Sequence, residues 1–421
     1  MTLYDLFADH PLVTTDSRNV PEGSLFFALR GASFDGNRFA ADALEKGAAA
    51  AVVDDPALPD RYPALRDRMH VVGHVLTALQ ELAREHRRRL ALPILAVAGS
   101  NGKTTTKELT ACVLAERFRI HATRGNLNNH IGVPLTLLSM DRDTEFGIVE
   151  MGASACGEIA ALCAIAEPNY GLLTNIGSAH LEGFGGPEGI RRGKGELYDF
   201  LAGHGGRAFV PEEDAILTDM AAERSGLAVE RYSVSLADGA ETQLEGAYNL
   251  RNIAAALAVG HYFGVDEARM RAAVAAYTPS NHRSQRSVTK HHNTLIIDCY
   301  NANPSSMAEA VGHLLGEPLG ERRQRLLILG DMLELGAWSD SEHRALLQQA
   351  AADPEAVVWT VGPRFAAAAE ALRAAGGGDA VTPFDRTEAL LDRLEAEPVT
   401  DALILMKGSR GMALERCLEW L

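Results

Sequence analysis

The stretch Ile94-Leu95-Ala96-Val97-Ala98-Gly99-Ser100-Asn101-Gly102-Lys103-Thr104-Thr105-Thr106 decides the fold. An unbroken apolar run reads as a buried strand, a glycine turn follows, and Lys107 to Leu114 continues with the spacing of a helix. Strand, glycine turn and helix in that order make a phosphate cradle. The glycines let backbone N–H groups converge on anionic oxygens, and the helix N-terminus adds a partial positive charge. Gly99, Ser100, Asn101, Gly102 and Thr105 then form the cradle. Lys103 is placed to reach the β- and γ-phosphates of a nucleotide, and the Thr104 hydroxyl to ligate Mg²⁺. The common spacing G-x-x-x-x-G-K-[ST] would need a glycine where Val97 stands, so this loop is a short form, G-x-x-G-K-T.

Outward from the loop, strand–helix alternation predicts a parallel sheet. The strands are expected at 94–98, 119–123, 147–151, 171–175 and 208–210, and the helices at about 103–116, 157–165 and 187–202. Two further helices are expected over 249–263 and 266–277. Before this unit, a short strand at 24–29, a helix at 39–46, a strand at 50–53 and a helix at 75–89 read as a small α/β unit. The pattern breaks at Thr278 to Ser284, a linker. It then resumes with strands at 295–298, 326–329, 357–361 and 403–406, and a short edge strand at 379–384. The expected architecture is α/β in three domains: residues 1–91, a central phosphate-loop domain at 92–284, and a Rossmann-like domain at 285–421. The last has no G-x-G-x-x-G after a strand, so no dinucleotide site is expected there.

Bulk properties agree. A chain of 421 residues has material for about two to four domains. With 47% hydrophobic and 23% charged residues it is an ordinary globular composition. A formal charge of −16 argues against a nucleic-acid-coating protein. The basic cluster Arg84-Glu85-His86-Arg87-Arg88-Arg89 reads as a helix C-terminus, where cations suit the dipole. The five cysteines lack a CxxC pair, which fits a reducing compartment. No signal peptide and no membrane span are expected, so the cytoplasm is the expected location.

Polar residues gather at the strand ends. Glu150 ends a strand beside the phosphate loop and is a candidate Mg²⁺ ligand, because Mg²⁺ takes one or two carboxylates plus phosphate oxygens. His180 is a candidate metal ligand or base, or a solvated loop histidine. Lys194 reads from spacing alone as an ordinary helix lysine. The cluster of Asn126, Asn128 and Asn129 suits peptide or carboxylate recognition, or an Asx-rich turn capping the next helix. Three later strand ends, at Asp298, at Asp331 and at Met406-Lys407, suggest a second ligand-facing surface.

These residues carry a family resemblance over essentially the whole chain. GSNGKTTT, the GNLNNHIGVPLTLL run of 125–138, EMGAS at 150–154 and AHLEGFG at 179–185 resemble the Mur ligases. So do YNANPSSM at 300–307, LGDMLELG at 329–336 and KGSRG at 407–411. These are the ATP-dependent amide-bond formers of cytoplasmic peptidoglycan synthesis. The detail is closest to the branch that adds D-Ala-D-Ala. The resemblance implies an ATP-dependent ligase joining UDP-MurNAc-tripeptide to D-Ala-D-Ala through an acyl phosphate, with ATP and two Mg²⁺ ions and no nucleic-acid or membrane partner, acting as a monomer. It implies that Lys103 contacts the γ-phosphate, and that Thr104 and Glu150 hold one Mg²⁺. His180 would hold the second, with Lys194 as a carbamate. Asn249, Asn252, Arg283 and Asp298 would contact ATP. Asn301 and Asn303 would line the dipeptide pocket, and Thr15-Asp16-Ser17-Arg18 would belong to the uridine-nucleotide domain, with Ser17 and Arg18 touching substrate. Tyr248 stands where many members have His, and the chain is somewhat short for the family. Readings that compete are another ligase of the same superfamily, adding an amino acid or glutamate, and a phosphate-loop switch that forms no bond.

Overall fold

The computed structural model describes residues 2–244, 246, 248–279 and 285–421. Its strands fall into three sheets. The first holds β1 (Val13–Thr14), β2 (Leu25–Phe27), β3 (Ala50–Val53) and β4 (Met69–Val71), all parallel and in chain order. The second holds β5 (Ile94–Ala98), β6 (Ile120–Ala122), β7 (Phe146–Glu150), β8 (Tyr170–Leu173), β9 (Arg207–Pro211) and β10 (Ala228–Tyr232), in the order β10-β9-β8-β5-β7-β6. The third holds β11 (Gln285–Val288), β12 (Thr294–Asp298), β13 (Gln324–Gly330), β14 (Ala356–Val361), β15 (Val381–Phe384) and β16 (Ala402–Lys407), in the order β11-β12-β16-β13-β14-β15.

The second sheet explains its own sequence. β5 pairs with β7 on one side and β8 on the other, and every residue of β5 and β7 is buried. A central parallel strand is covered by helices on both faces, so it must be apolar throughout and not alternating. The outer strands differ. β10 is Ala-Val-Glu-Arg-Tyr and mostly half-exposed, and among the described residues it pairs only with β9. It falls outside the sequence-based expectation because an edge strand draws its order from one neighbour's hydrogen bonds, and its charges leave no apolar run to read.

The third sheet differs from the other two in one pairing. It is mixed: β11 runs antiparallel to β12, while the remaining pairs are parallel. An antiparallel edge added to a parallel sheet is common in α/β folds. β1, β4 and the helix Leu3–Asp9 are also additions, each too short to give a periodic signal.

The helix Val75–Leu90 joins the first sheet to the second unit. Its apolar side buries Val75, Leu79, Leu82 and Ala83. It packs on the helices Gly132–Leu138 and Glu158–Ala166. The arginine cluster closes the joint. Buried Arg87 donates to the carbonyls of Ala166 and Glu167 and to Asn169 Oδ1. Arg88 pairs with Glu167, and Arg89 pairs with Glu85 and lies over the Tyr4 ring. The cluster is therefore used internally, at the C-terminal ends of two helices. All five cysteines are free thiols, and among the described residues no helix is long and apolar enough to cross a membrane.

Truncating Arg87 would leave the buried Ala166 carbonyl, the half-buried Glu167 carbonyl and an amide oxygen without their donor. Arg87→Ala is expected to lower unfolding stability by about 2–4 kcal/mol in chemical denaturation. Arg84→Ala on the same helix is the comparison and should change it by less than about 0.5 kcal/mol.

Candidate active site

The second sheet reverses its direction of growth at β5. The chain builds β6 and β7 on one side, then crosses to β8 on the other. Open α/β sheets bind ligands in the crevice at such a switch point, beyond the strands' carboxyl ends. Here the loops after β5 and β8 are tied together. Ser100 N donates to the Asn175 carbonyl (3.0 Å) and Asn101 N to Asn175 Oδ1 (3.1 Å). Asn175 Nδ2 returns a bond to the Asn101 carbonyl (3.0 Å), and Ser100 Oγ bonds the Gly177 carbonyl (2.9 Å). The phosphate loop is thus held by the protein's own hydrogen bonds.

Glycine is required at two points. Gly99 has φ +131°, and a Cβ there would lie 2.2 Å from Thr174 Oγ1. Gly102 has φ +77°, and a Cβ would lie 2.6 Å from Asn252 Oδ1. Asn252 is buried on the helix Tyr248–Tyr262. It accepts from Thr106 Oγ1 (3.0 Å) and donates to Asn249 Oδ1 (2.8 Å). The helix expected to approach the nucleotide therefore also braces the turn of the loop. Lys103 Nζ bonds the carbonyls of Gly99 (3.0 Å) and Ser100 (2.9 Å), arching over its own loop.

Glu150 ends β7 and is 1% exposed. Its Oε1 accepts from Asn128 Nδ2 (2.7 Å), and its backbone N–H donates to Thr123 Oγ1 (3.0 Å). Lys107 Nζ lies 3.9 Å from Oε2 and donates to the Thr123 carbonyl (2.8 Å). Glu150 Oε2 and Thr104 Oγ1 are both buried with no hydrogen-bond partner. Two orphaned hard oxygens on one cleft suit a divalent cation. Among the described residues, no three His, Cys, Asp or Glu side chains gather into a metal cluster.

His180 has left-handed backbone (φ 55°), and its Nδ1 bonds Glu334 of the last domain. Burial holds the imidazole below its usual range, and Glu334 opposes that shift. Lys194 is buried on the helix Pro187–Gly203. Its Nζ donates to the Ala153 carbonyl (3.0 Å) and lies 4.9 Å from the Phe184 ring centre. Burial pushes its pKa down to about 7, with the charge of Lys103 adding to the shift.

The third sheet completes the site. A cleft of about 430 Å³ is walled by the phosphate loop, Asn128, Asn129, Glu150 and His180 on one side. Tyr248, Asn249 and Asn252 form another wall, and Asp298, Asn301, Asn303 and Lys407 close it. Lys407, at one of the strand ends noted in the sequence, pairs with Asp298, a partner the sequence did not indicate. Its signal was a lone charge closing the apolar strand Leu403–Met406. Lys107 and Glu334 were missed. Each contacts a candidate residue from far away in sequence or from beneath it.

Several expected residues sit elsewhere. Asp331 does not face a ligand: its carboxylate is buried and caps the helix Pro363–Ala374 by accepting from Arg364 N and Phe365 N (both 2.9 Å). Two of the three strand ends therefore border the cleft, not three. Asn129 Oδ1 accepts from Ile131 N (3.1 Å) and Gly132 N (2.9 Å), the Asx turn that starts the next helix, while its residue still borders the cleft. Gly99, Asn126 and Lys194 are not in the cleft wall, and neither are Ser17 and Arg18 on the first domain, where Arg18 pairs with Asp16. Arg283 lies outside the described residues.

Three models of known families match separate stretches of the chain. Residues 11–87 match the model "Mur ligase family, catalytic domain", 97–245 the "Mur ligase middle domain", and 282–410 the "Mur ligase, glutamate ligase domain". A UDP-N-acetylmuramoyl-tripeptide–D-alanyl-D-alanine ligase of Bacillus subtilis is 33% identical over 425 residues, covering 97% of this chain and 92% of that protein. A crystal structure of MurF from Acinetobacter baumannii superposes with TM-score 0.83 at 29% identity, covering 97% of this chain and 92% of the other. The MurF ligase of Thermotoga maritima in complex with ADP superposes with TM-score 0.82 at 26% identity, covering 100% and 98%.

Gly102→Ala forces a side chain into a left-handed turn and against Asn252, so ADP affinity measured by calorimetry is expected to fall by more than about tenfold. Lys194 gives a pH signature. Its folded value near 7 lies below the ordinary lysine value of 10.5, so the unfolded chain binds more protons across that window and stability rises with pH. In bicarbonate-free buffer, Lys194→Met should melt higher than the parent at about pH 7, with the margin narrowing by about pH 9.

Proposed function

The chain belongs to the Mur ligase family, and from that membership we propose that it joins D-alanyl-D-alanine to UDP-N-acetylmuramoyl-tripeptide, converting ATP to ADP and phosphate. One observation carries the reading. Relatives of that named activity match this chain almost end to end, and the match includes the cleft where a phosphate loop meets polar strand ends of a second α/β domain.

The chemistry follows from what a carboxylate lacks. The terminal carboxylate of the tripeptide is a poor acyl donor at neutral pH. Its oxygen attacks the γ-phosphorus of ATP, the bond to the bridging oxygen breaks, and ADP leaves an acyl phosphate behind. The dipeptide amine attacks the acyl carbon, and the tetrahedral intermediate expels phosphate. A free α-amino group has a pKa of about 8, so a useful neutral fraction exists without a dedicated base. Lys103 and the loop N–H groups stabilise charge on the transferring phosphoryl group, which is where most catalysis of phosphoryl transfer arises. The last domain closes the cleft and excludes water that would hydrolyse the acyl phosphate.

Thr104 and Glu150 fit Mg²⁺ through their unpartnered buried oxygens, and His180 with a carbamylated Lys194 would hold a second ion. Bound Mg²⁺ supplies neutralisation of the crowded phosphate and carboxylate charge. Only an unprotonated amine adds to CO₂, and the lowered value of Lys194 supports that modification. In this reading Asn249, Asn252, Arg283 and Asp298 serve ATP. Ser17 and Arg18 serve the uridine nucleotide, with Asn126, Asn128 and Asn129 toward the peptide and Asn301 toward the dipeptide. The working form is a cytoplasmic monomer of three domains, 1–91, 92–284 and 285–421.

Purified protein given ATP, Mg²⁺ and the UDP-tripeptide should release phosphate only when D-Ala-D-Ala is added. Release that ignores the dipeptide, or that is served better by a single amino acid, would sink the assignment. Lys103→Ala should lower turnover by about a hundredfold or more. Lys194→Ala should lose activity that short carboxylates partly restore.

A further inference from the structure

The phosphate loop is also gripped from the last domain. Asn101, inside the loop, donates from Nδ2 to Ser305 Oγ (2.9 Å), and its Oδ1 accepts from Asn303 Nδ2 (2.7 Å). Ser305 Oγ in turn donates to Asn303 Oδ1 (2.9 Å), closing a ring of three side chains. Asn303 caps the helix Pro304–Gly316, with Oδ1 accepting from Ser306 N (3.0 Å), so the ring is anchored to a rigid element. On the central side Asn101 is fixed through its backbone: its N–H reaches Asn175, and its carbonyl accepts from Thr174 Oγ1 and Asn175 Nδ2. The two domains touch closely here. A Cβ on Gly177 would lie 2.4 Å from Ser305 Oγ and 3.1 Å from Asn101 Nδ2.

We propose that Asn303 and Ser305 are positioning residues that clasp the phosphate loop through Asn101, so that seating of the last domain sets the loop for phosphoryl transfer. Both polar ends of the Asn303 carboxamide are engaged by this ring and by the helix cap, which directs the residue away from the dipeptide and toward the loop. The clasp is made only when the last domain is docked, so the loop is fully held only when the site is closed.

The proposal rests on the ligase reading for its rate measurements and is independent of it for its structural one. Two variants test it. Asn303→Asp keeps the oxygen that caps the helix but loses the N–H that reaches Asn101. Gly177→Ala adds no charge and displaces Ser305 Oγ. Each should lower kcat by about tenfold, the worth of one or two lost hydrogen bonds, while KM for D-Ala-D-Ala stays within about twofold. Each should also speed amide hydrogen exchange over residues 99–106 in the ADP-bound protein, with the melting temperature unchanged. A raised KM with unchanged kcat would place Asn303 in the dipeptide pocket and overturn the clasp. So would unchanged loop exchange in either variant, or an effect confined to Asn303→Asp, which would be one of charge. Absence of dipeptide-dependent phosphate release in the parent protein would overturn the ligase reading alone, and loop exchange would still decide the clasp.

Discussion

At Gly102 the chain turns left-handed with no room for a side chain, because the Asn252 carboxamide fills the space a Cβ would need. The rest of the site depends on that contact. A loop whose N–H groups must point at one ligand cannot also satisfy itself as ordinary secondary structure. It has to be held from outside. Asn252 braces it through the helix Tyr248–Tyr262, Asn175 holds it from the end of β8, and Asn303 and Ser305 hold it from the last domain. Nearly all of these supports are amides and hydroxyls of short side chains, which lose little rotamer freedom when fixed.

Electrostatics explains what is left unsatisfied. The cleft gathers Lys103, Lys407 and nearby Lys107 close to Glu150 and Asp298, two of the four carboxylates in its lining, with Glu158 and Glu309. Lys407 is matched to Asp298, and Lys107 stands off Glu150 at 3.9 Å. Glu150 Oε2 and Thr104 Oγ1 stay without hydrogen bonds, a cost of about 1–3 kcal/mol each if nothing else paired them. Lys194 is the other unsettled charge, buried deeply enough that neutrality costs it little near pH 7.

The strongest local signals were the easiest to read. Ile94–Ala98 was placed to the residue, since a central parallel strand has no exposed face to blur its pattern. Lys103, Thr104 and Glu150 followed from it, because the loop and the adjacent strand end share one edge. Edge strands β10 and β11 were not legible, as their partners supply the order. Polar residues at strand ends were ambiguous for a related reason: Asp298 and Asp331 stand in similar sequence settings, yet one borders the cleft and the other caps a helix. The difference lies in Gly362, whose missing side chain makes room for the Asp331 carboxylate; a Cβ there would lie 2.4 Å from it. Glu334 reaches His180 across 154 positions of sequence, a separation no local pattern reports.

The ring of Asn101, Asn303 and Ser305 contains no ionised group. Exposed ion pairs are screened by salt and would be pulled apart or reoriented by the field of an entering triphosphate. Neutral amide and hydroxyl bonds, as dipoles, respond far less to either. The seam at the phosphate loop can therefore keep the same geometry before and after several negative charges arrive beside it, and in dilute or concentrated electrolyte alike. Closure is in this sense insulated from the charge it encloses.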